Sequence, residues 1–166
     1  MDPVSRRLLK ELNDFQREAR NHPEIIELCP ADDENLTQWR ATLAGLNNTP
    51  FQGGLWSLDI KIPHNYPMQP PAIKFVTPIC HPNVHFKTGE ICLDLLKTAW
   101  SPAWTLKSTV LAISLLLSNP EPSSPLNCDA ANLLRCGDIV GYESMIRMYT
   151  QLLAMNNDCN PNSTHQ

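Results

Sequence analysis

The sequence predicts an α+β sandwich: an N-terminal helix, a four-stranded antiparallel meander, then C-terminal helices. Three observations carry that prediction. Apolar residues between Val4 and Phe15 recur at helical spacing, the period shifts to two between Leu36 and about Ile62, and helical spacing returns after Thr105.

Asp2 is placed to cap the first helix and Pro3 suits its first turn, with Val4, Leu8, Leu12 and Phe15 forming one stripe. Arg6, Arg7 and Lys10 fall off that stripe and give it a basic outer face. Pro23 and Pro30 bracket a short apolar run, Ile25 to Leu28, which is the first expected strand. Trp39, Ala41 and Leu43 then alternate with polar residues, as do Trp56, Leu58, Ile60 and Ile62. The Asn47–Pro50 cluster and Gly53-Gly54 separate these runs into a hairpin or meander. Pro63 to Pro71 contains four prolines and reads as a rigid loop before a last strand at Ala72 to Val76. Thr105 caps a helix buried through Leu106, Val110, Ile113 and Leu117. A second proline-stiffened loop, Asn119 to Pro125, leads to a short helix from Asp129 to Arg135 ending near Gly137. The final helix runs from about Asp138 to Met155, with Ile139, Tyr142, Ile146, Tyr149 and Leu153 at helical spacing. One core domain is expected over residues 3–156, with a short polar tail at 157–166.

With 42% hydrophobic and 18% charged residues among 166, the chain fits a globular domain that builds a real core. A net charge of −4 gives no electrostatic reason for a nucleic-acid partner. No apolar run approaches the roughly 18 residues of a membrane span, so direct membrane insertion is not expected. The N-terminus lacks the order of a secretory signal, and the six cysteines include no Cys-x-x-Cys pair. Reduced thiols in a cytosolic compartment are therefore expected.

Cys92 is the most informative residue. It closes the run His81-Pro82-Asn83-Val84-His85-Phe86-Lys87-Thr88-Gly89-Glu90-Ile91-Cys92 and opens Cys92-Leu93-Asp94-Leu95-Leu96, with Trp100-Ser101-Pro102 eight residues on. A cysteine between a turn-forming segment and a short apolar run is suited to presentation at a surface. Sulfur is intrinsically nucleophilic and a good leaving group. No histidine downstream of Cys92 lies in the folded part of the chain, so a Cys-His-Asn protease arrangement is not indicated.

This ordered constellation resembles the active-site signature of ubiquitin-conjugating enzymes. Further anchors are Tyr66-Pro67-Met68-Gln69-Pro70-Pro71 and the N-P-x-P-x-x-P-L pattern from Asn119 to Leu126. Within that family the Asn132-Leu133-Leu134-Arg135-Cys136-Gly137-Asp138 segment is most like the peroxisomal, peroxin-type branch. The resemblance implies the ubiquitin-conjugating fold. It also implies a reaction in which an activating enzyme, using ATP, hands ubiquitin to Cys92 as a thioester, with no cofactor on this chain. Transfer to an acceptor, guided by a RING-type ligase, follows; in the peroxisomal branch the acceptor is a cysteine of the import receptor. Asn83 would orient the active-site loop or donate to the oxyanion; the simpler reading is an Asn capping a turn. His81, Pro82, Ser124 and Leu126 would support the loop, His81 as a structural hydrogen-bonding group rather than a general base. Arg6 and Arg7 match the surface that meets the activating enzyme. Met68, Ser101, Pro102 and Ala103 match the loops that dock the ligase, although Met68 could instead pack on Trp100. The branch further implies a cytoplasmic protein, peripheral on the cytosolic face of the peroxisomal membrane through a membrane-anchored partner.

Two departures from the family pattern matter. His81 to Cys92 is one residue longer than usual, so Val84 to Thr88 is expected to bulge. Ser124 stands where many members carry an acid that helps deprotonate an attacking lysine. Near neutral pH a lysine is roughly 0.1% neutral and a thiol roughly 5% ionised, so a thiol acceptor needs less help. The rivals are a conjugating enzyme of another, cytosolic branch, a catalytically dead ubiquitin-binding variant, and a zinc module built on Cys80, His81, His85 and Cys92. The spacing of that last set suits zinc poorly, and no metal is expected.

Overall fold

The computed structural model describes residues 2–32 and 35–155; the expected tail, 157–166, lies outside them. Helix α1, Pro3–Glu18, is capped by Asp2, whose Oδ1 accepts the Ser5 N–H at 3.0 Å. Leu8 and Phe15 are buried as the stripe requires, and Val4 and Leu12 pack partly against the core. Glu11 is buried too, an acid on the inner side of the helix that the periodicity does not reveal.

Strands β1 (Ile25–Asp32), β2 (Asn35–Ala44), β3 (Leu55–Lys61) and β4 (Ala72–Phe75) form one antiparallel sheet in sequence order. Trp39 pairs with Ile60, Ala41 with Leu58 and Leu43 with Trp56; Ile60 and Leu58 pair in turn with Ile73 and Phe75. The register therefore puts one continuous apolar face inward. Pro30 does not end the first strand: it lies within β1, paired with Trp39 and beside a register shift. An edge strand tolerates a proline because one side of its ladder needs no N–H.

Helix α2 (Leu106–Ser118) begins with a reciprocal capping box between Thr105 and Ser108. It buries Leu106, Val110, Ile113 and Leu117 in the same cluster as the sheet's inner face. Truncating one of these leucines is expected to cost roughly 2–5 kcal/mol. Helix α3 spans Cys128–Arg135 and α4 spans Ile139–Leu153. Between them Gly137 adopts φ +74°, the Asp138 N–H reaches the Leu133 carbonyl at 2.9 Å, and the Asp138 carboxylate caps α4. The Arg-Cys-Gly-Asp turn is thus one helix's C-cap followed directly by the next one's N-cap. Tyr142 and Ile146 are buried, but Ile139 is half exposed because it stands in the first turn of α4, beyond the edge of the core. No helix among the described residues is long and apolar enough to cross a membrane.

Candidate active site

Residues 83–92 form a small hairpin fastened to the edge of the sheet. Cys92 donates its N–H to the Asn83 carbonyl at 2.8 Å, Val84 bridges Ile91, and the His85 N–H reaches the Glu90 carbonyl at 2.9 Å. The expected bulge at Val84 to Thr88 is a closed turn: the Gly89 N–H bonds the His85 carbonyl at 2.8 Å, and the Thr88 N–H bonds His85 Nδ1 at 3.2 Å. Gly89 takes φ +73°, and a Cβ there would stand 1.9 Å from the Phe75 carbonyl oxygen. Only glycine lets the turn pair with β4, through the Phe75 N–H to Gly89 carbonyl bond of 2.9 Å and the Lys74–Glu90 bridge. Val84 and Ile91 plug the hairpin into the core, Leu95 does the same from the one-turn 3-10 helix Asp94–Leu96, and Cys92 is left half-buried between them. Apolar anchors on both sides thus hold the cysteine at the surface.

The loop behind the hairpin is held by two buried polar side chains. His81 is fully buried; its Nδ1 accepts the Asn83 N–H at 3.0 Å, so Nε2 carries the proton donated to the Leu116 carbonyl at 3.0 Å. Burial pushes its pKa down to about 4, and the ring is a neutral strut between the loop and α2. Asn83 is 1% exposed. Its Nδ2 donates to the Glu121 carbonyl at 2.7 Å and the Ser124 carbonyl at 3.1 Å, while its Oδ1 accepts the Glu121 N–H at 2.8 Å. Both amide protons are committed to carbonyl groups, the arrangement that orienting the active-site loop, one of the two expected roles, requires. The amide ties the hairpin to the 119–127 loop. Pro82 completes the tie, its carbonyl accepting the N–H groups of Leu126 at 2.8 Å and Asn127 at 3.0 Å.

Ser124 is exposed and its carbonyl joins this scaffold; among the described residues its hydroxyl has no hydrogen-bond partner. The acid on this loop is Glu121, which the sequence reading did not single out. Its Oε1 accepts from the Ser123 N–H and hydroxyl, and those bonds hold the carboxyl below the usual carboxylate range. Cys80 is buried beside Asn127 and burial pushes its thiol up to about 11. Cys80, Cys128, His85 and Lys87 line a cleft of about 400 Å³ beneath the hairpin turn. Since both His81 nitrogens face backbone groups, the proposed zinc set loses a ligand, and no cluster of three or more His, Cys, Asp or Glu suited to a metal occurs among the described residues.

Two further loops meet at Trp100. Met68 is 71% exposed, and Ser101, Pro102 and Ala103 are exposed as well. Trp100 does not cover Met68: its indole N–H bonds the Pro67 carbonyl at 2.8 Å and its ring lies 6.0 Å from that of Tyr66. Arg6 is exposed, whereas Arg7 is folded against Glu11 and the Pro102 and Trp104 carbonyls.

Comparison with known proteins agrees with this geometry. Residues 7–150 match the family model described as ubiquitin-conjugating enzyme. Protein PEROXIN-4 of Arabidopsis thaliana is 55% identical over 90% of this chain and 94% of its own length. Ubiquitin-conjugating enzyme E2 pex4 of Dictyostelium discoideum is 54% identical over 90% of this chain and 98% of its own. Among solved structures, H. polymorpha ubiquitin conjugating enzyme Pex4p, crystallised in complex with the soluble domain of Pex22p, is 41% identical. It covers 92% of this chain and 99% of its own, with a TM-score of 0.87. With its meander, its HPN-to-cysteine hairpin and these matches over most of its length, the chain belongs to the ubiquitin-conjugating enzyme family, among members of the peroxin-4 type.

Proposed function

We propose that Cys92 carries ubiquitin as a thioester and passes it to an acceptor at the cytosolic face of the peroxisome. The observation that carries this reading is the hairpin itself: a half-buried thiol fixed by Val84, Ile91 and Leu95 and backed by the Asn83–Glu121–Ser124 tie. In the charging step the Cys92 sulfur forms a bond to the C-terminal carbonyl carbon of ubiquitin, and the activating enzyme's own thiol leaves. In the transfer step an acceptor nucleophile attacks that carbon, Cys92 leaves, and the acceptor's proton goes to solvent. Arg6 offers the activating enzyme an exposed cation on α1. Met68, Ser101, Pro102 and Ala103 offer a RING-type ligase exposed side chains on two loops that the Trp100–Pro67 bond joins. Ser124 in place of an acid favours an acceptor that ionises near neutral pH, which supports a cysteine of the peroxisomal import receptor. Recruitment by a membrane-anchored protein is supported by the complex of the H. polymorpha relative with a soluble domain of Pex22p.

The test is incubation with activating enzyme, ATP and ubiquitin. Wild type is expected to give one adduct that reducing agent removes, Cys92→Ser a reductant-resistant oxyester, and Cys92→Ala none. Charging of Cys92→Ala, with loss on mutating another cysteine, would move the site elsewhere.

A further inference from the structure

Glu11 is a carboxylate whose side chain is only 6% exposed, on the inner face of α1. A buried carboxylate is tolerated only with donors around it. Three groups supply them: Arg7 Nε at 2.5 Å, the Tyr66 hydroxyl at 2.9 and 3.1 Å, and the Leu106 N–H at 2.7 Å. Tyr66 leads into Pro67 and Met68, and Leu106 opens α2 directly after the 101–104 loop. Arg7 makes the connection tighter. Its side chain is 31% exposed, and its Nη2 reaches the Trp104 carbonyl at 3.1 Å and the Pro102 carbonyl at 3.3 Å. One guanidinium therefore bonds a buried acid and two carbonyls of the loop whose outer surface is Ser101, Pro102 and Ala103. Its planar fork presents donors from separate nitrogens, whereas a lysine ammonium carries its three on one nitrogen and spans separated acceptors less well.

We propose that Arg7 is a positioning residue for ligase docking, holding the 101–104 loop from behind through its carbonyls. The inference rests on reading Met68 and Ser101–Ala103 as the ligase surface. It also divides the basic pair on α1: Arg6 is the exposed cation, and Arg7 belongs to the frame of the loops. A loop released from this tie must be ordered at the moment of docking, which weakens binding without altering the chemistry that follows.

Two measurements test this on the full chain, with Arg7→Ala and Arg7→Lys. The first is amide hydrogen exchange of the uncharged protein. The Trp104 N–H, bonded to the Ser101 carbonyl at 3.0 Å, reports the loop, and the core amide of Ile60 is the internal standard. Trp104 is expected to exchange roughly tenfold faster in Arg7→Ala relative to Ile60, and Arg7→Lys to recover only part of the protection. The second is discharge of protein already loaded with ubiquitin, so that effects on charging drop out, titrated with a purified RING domain that accelerates the wild type. The RING concentration giving half-maximal acceleration should rise roughly tenfold in Arg7→Ala, with the maximal rate kept within about twofold. Unchanged Trp104 exchange, an unchanged half-point, or a fall confined to the maximal rate overturns the positioning role. If Met68→Ala abolishes acceleration while both Arg7 variants respond as wild type, the ligase reading stands and this inference alone falls. If no RING domain accelerates the wild type, the ligase reading falls and this inference with it.

Discussion

The hairpin that carries Cys92 and the loops around Trp100 are both irregular backbone, yet opposite kinds of side chain hold them. Behind Cys92 the ties are neutral and buried: His81 at 0% and Asn83 at 1% exposure, each bonded to main-chain groups. Behind the 101–104 loop the tie is the Arg7–Glu11 ion pair, with the arginine a third exposed. Under the proposed function, the two regions have different tasks. A reacting thiol needs one fixed position, which buried neutral hydrogen bonds in a low-dielectric interior secure. A surface that meets a partner needs a defined backbone beneath side chains that stay in water, which a peripheral guanidinium provides.

The largest effect should come from breaking the hairpin where it meets the sheet. In Gly89→Ala the new Cβ meets the Phe75 carbonyl at 1.9 Å, a backbone atom that cannot swing aside. The hairpin must leave β4, at a cost of roughly 3 kcal/mol or more. Urea denaturation should show that loss and charging should slow in parallel; wild-type values for both would mean that the hairpin does not depend on the sheet.

The next effect separates the two regions by pH. His81 is held near a pKa of about 4 against 6.5 for a free histidine. The unfolded chain therefore takes up this proton first as pH falls. The stability His81 confers is complete above pH 6.5 and erodes down to about pH 4, by on the order of 3 kcal/mol. The difference between wild type and His81→Gln, from urea titrations at several pH values, should shrink over that window. A constant difference would mean that the ring is not a buried neutral strut. Trp104 exchange, corrected for the intrinsic pH dependence of amide exchange, should change little over the same range, since no histidine among the described residues is bonded to the 101–104 loop.

The smallest effect concerns acceptor choice. Ser124 is exposed on a loop already fixed by Asn83, so Ser124→Asp adds a carboxylate with little structural change. A carboxylate stabilises an approaching ammonium and disfavours a thiolate. Discharge to free lysine should therefore rise a few-fold relative to discharge to free cysteine, measured without ligase on the same charged enzyme. An unchanged ratio would remove Ser124 from the account of acceptor preference.

The parts of this molecule legible in sequence are those governed by local period or local caps. Asp2, Thr105 and Asp138 start their helices as expected, and the alternation from Trp39 to Leu43 and from Trp56 to Ile60 sets the inward face of the sheet. Pro30 was misleading because its place in β1 depends on that strand being an edge, a tertiary fact. Glu11 was silent because its partners, Tyr66 and Leu106, lie 55 and 95 residues away. Asn83 was half legible. Its importance beside Cys92 shows in the motif, but its commitment to Glu121 and Ser124, 38 and 41 residues on, does not. A side chain that ties two distant loops leaves no periodic trace, and a motif names it without saying which atoms it meets.

That commitment is the centre of the account, and Asn83→Ala tests it most directly, with charging and discharge measured on the same preparation. If the amide acts by tying the hairpin to the 119–127 loop, both rates should fall together, by on the order of tenfold, alongside a lowered melting temperature. If charging and melting stay at wild-type values while discharge alone falls by on the order of 100-fold, the amide is donating to the oxyanion. That result would contradict the committed bonds seen here.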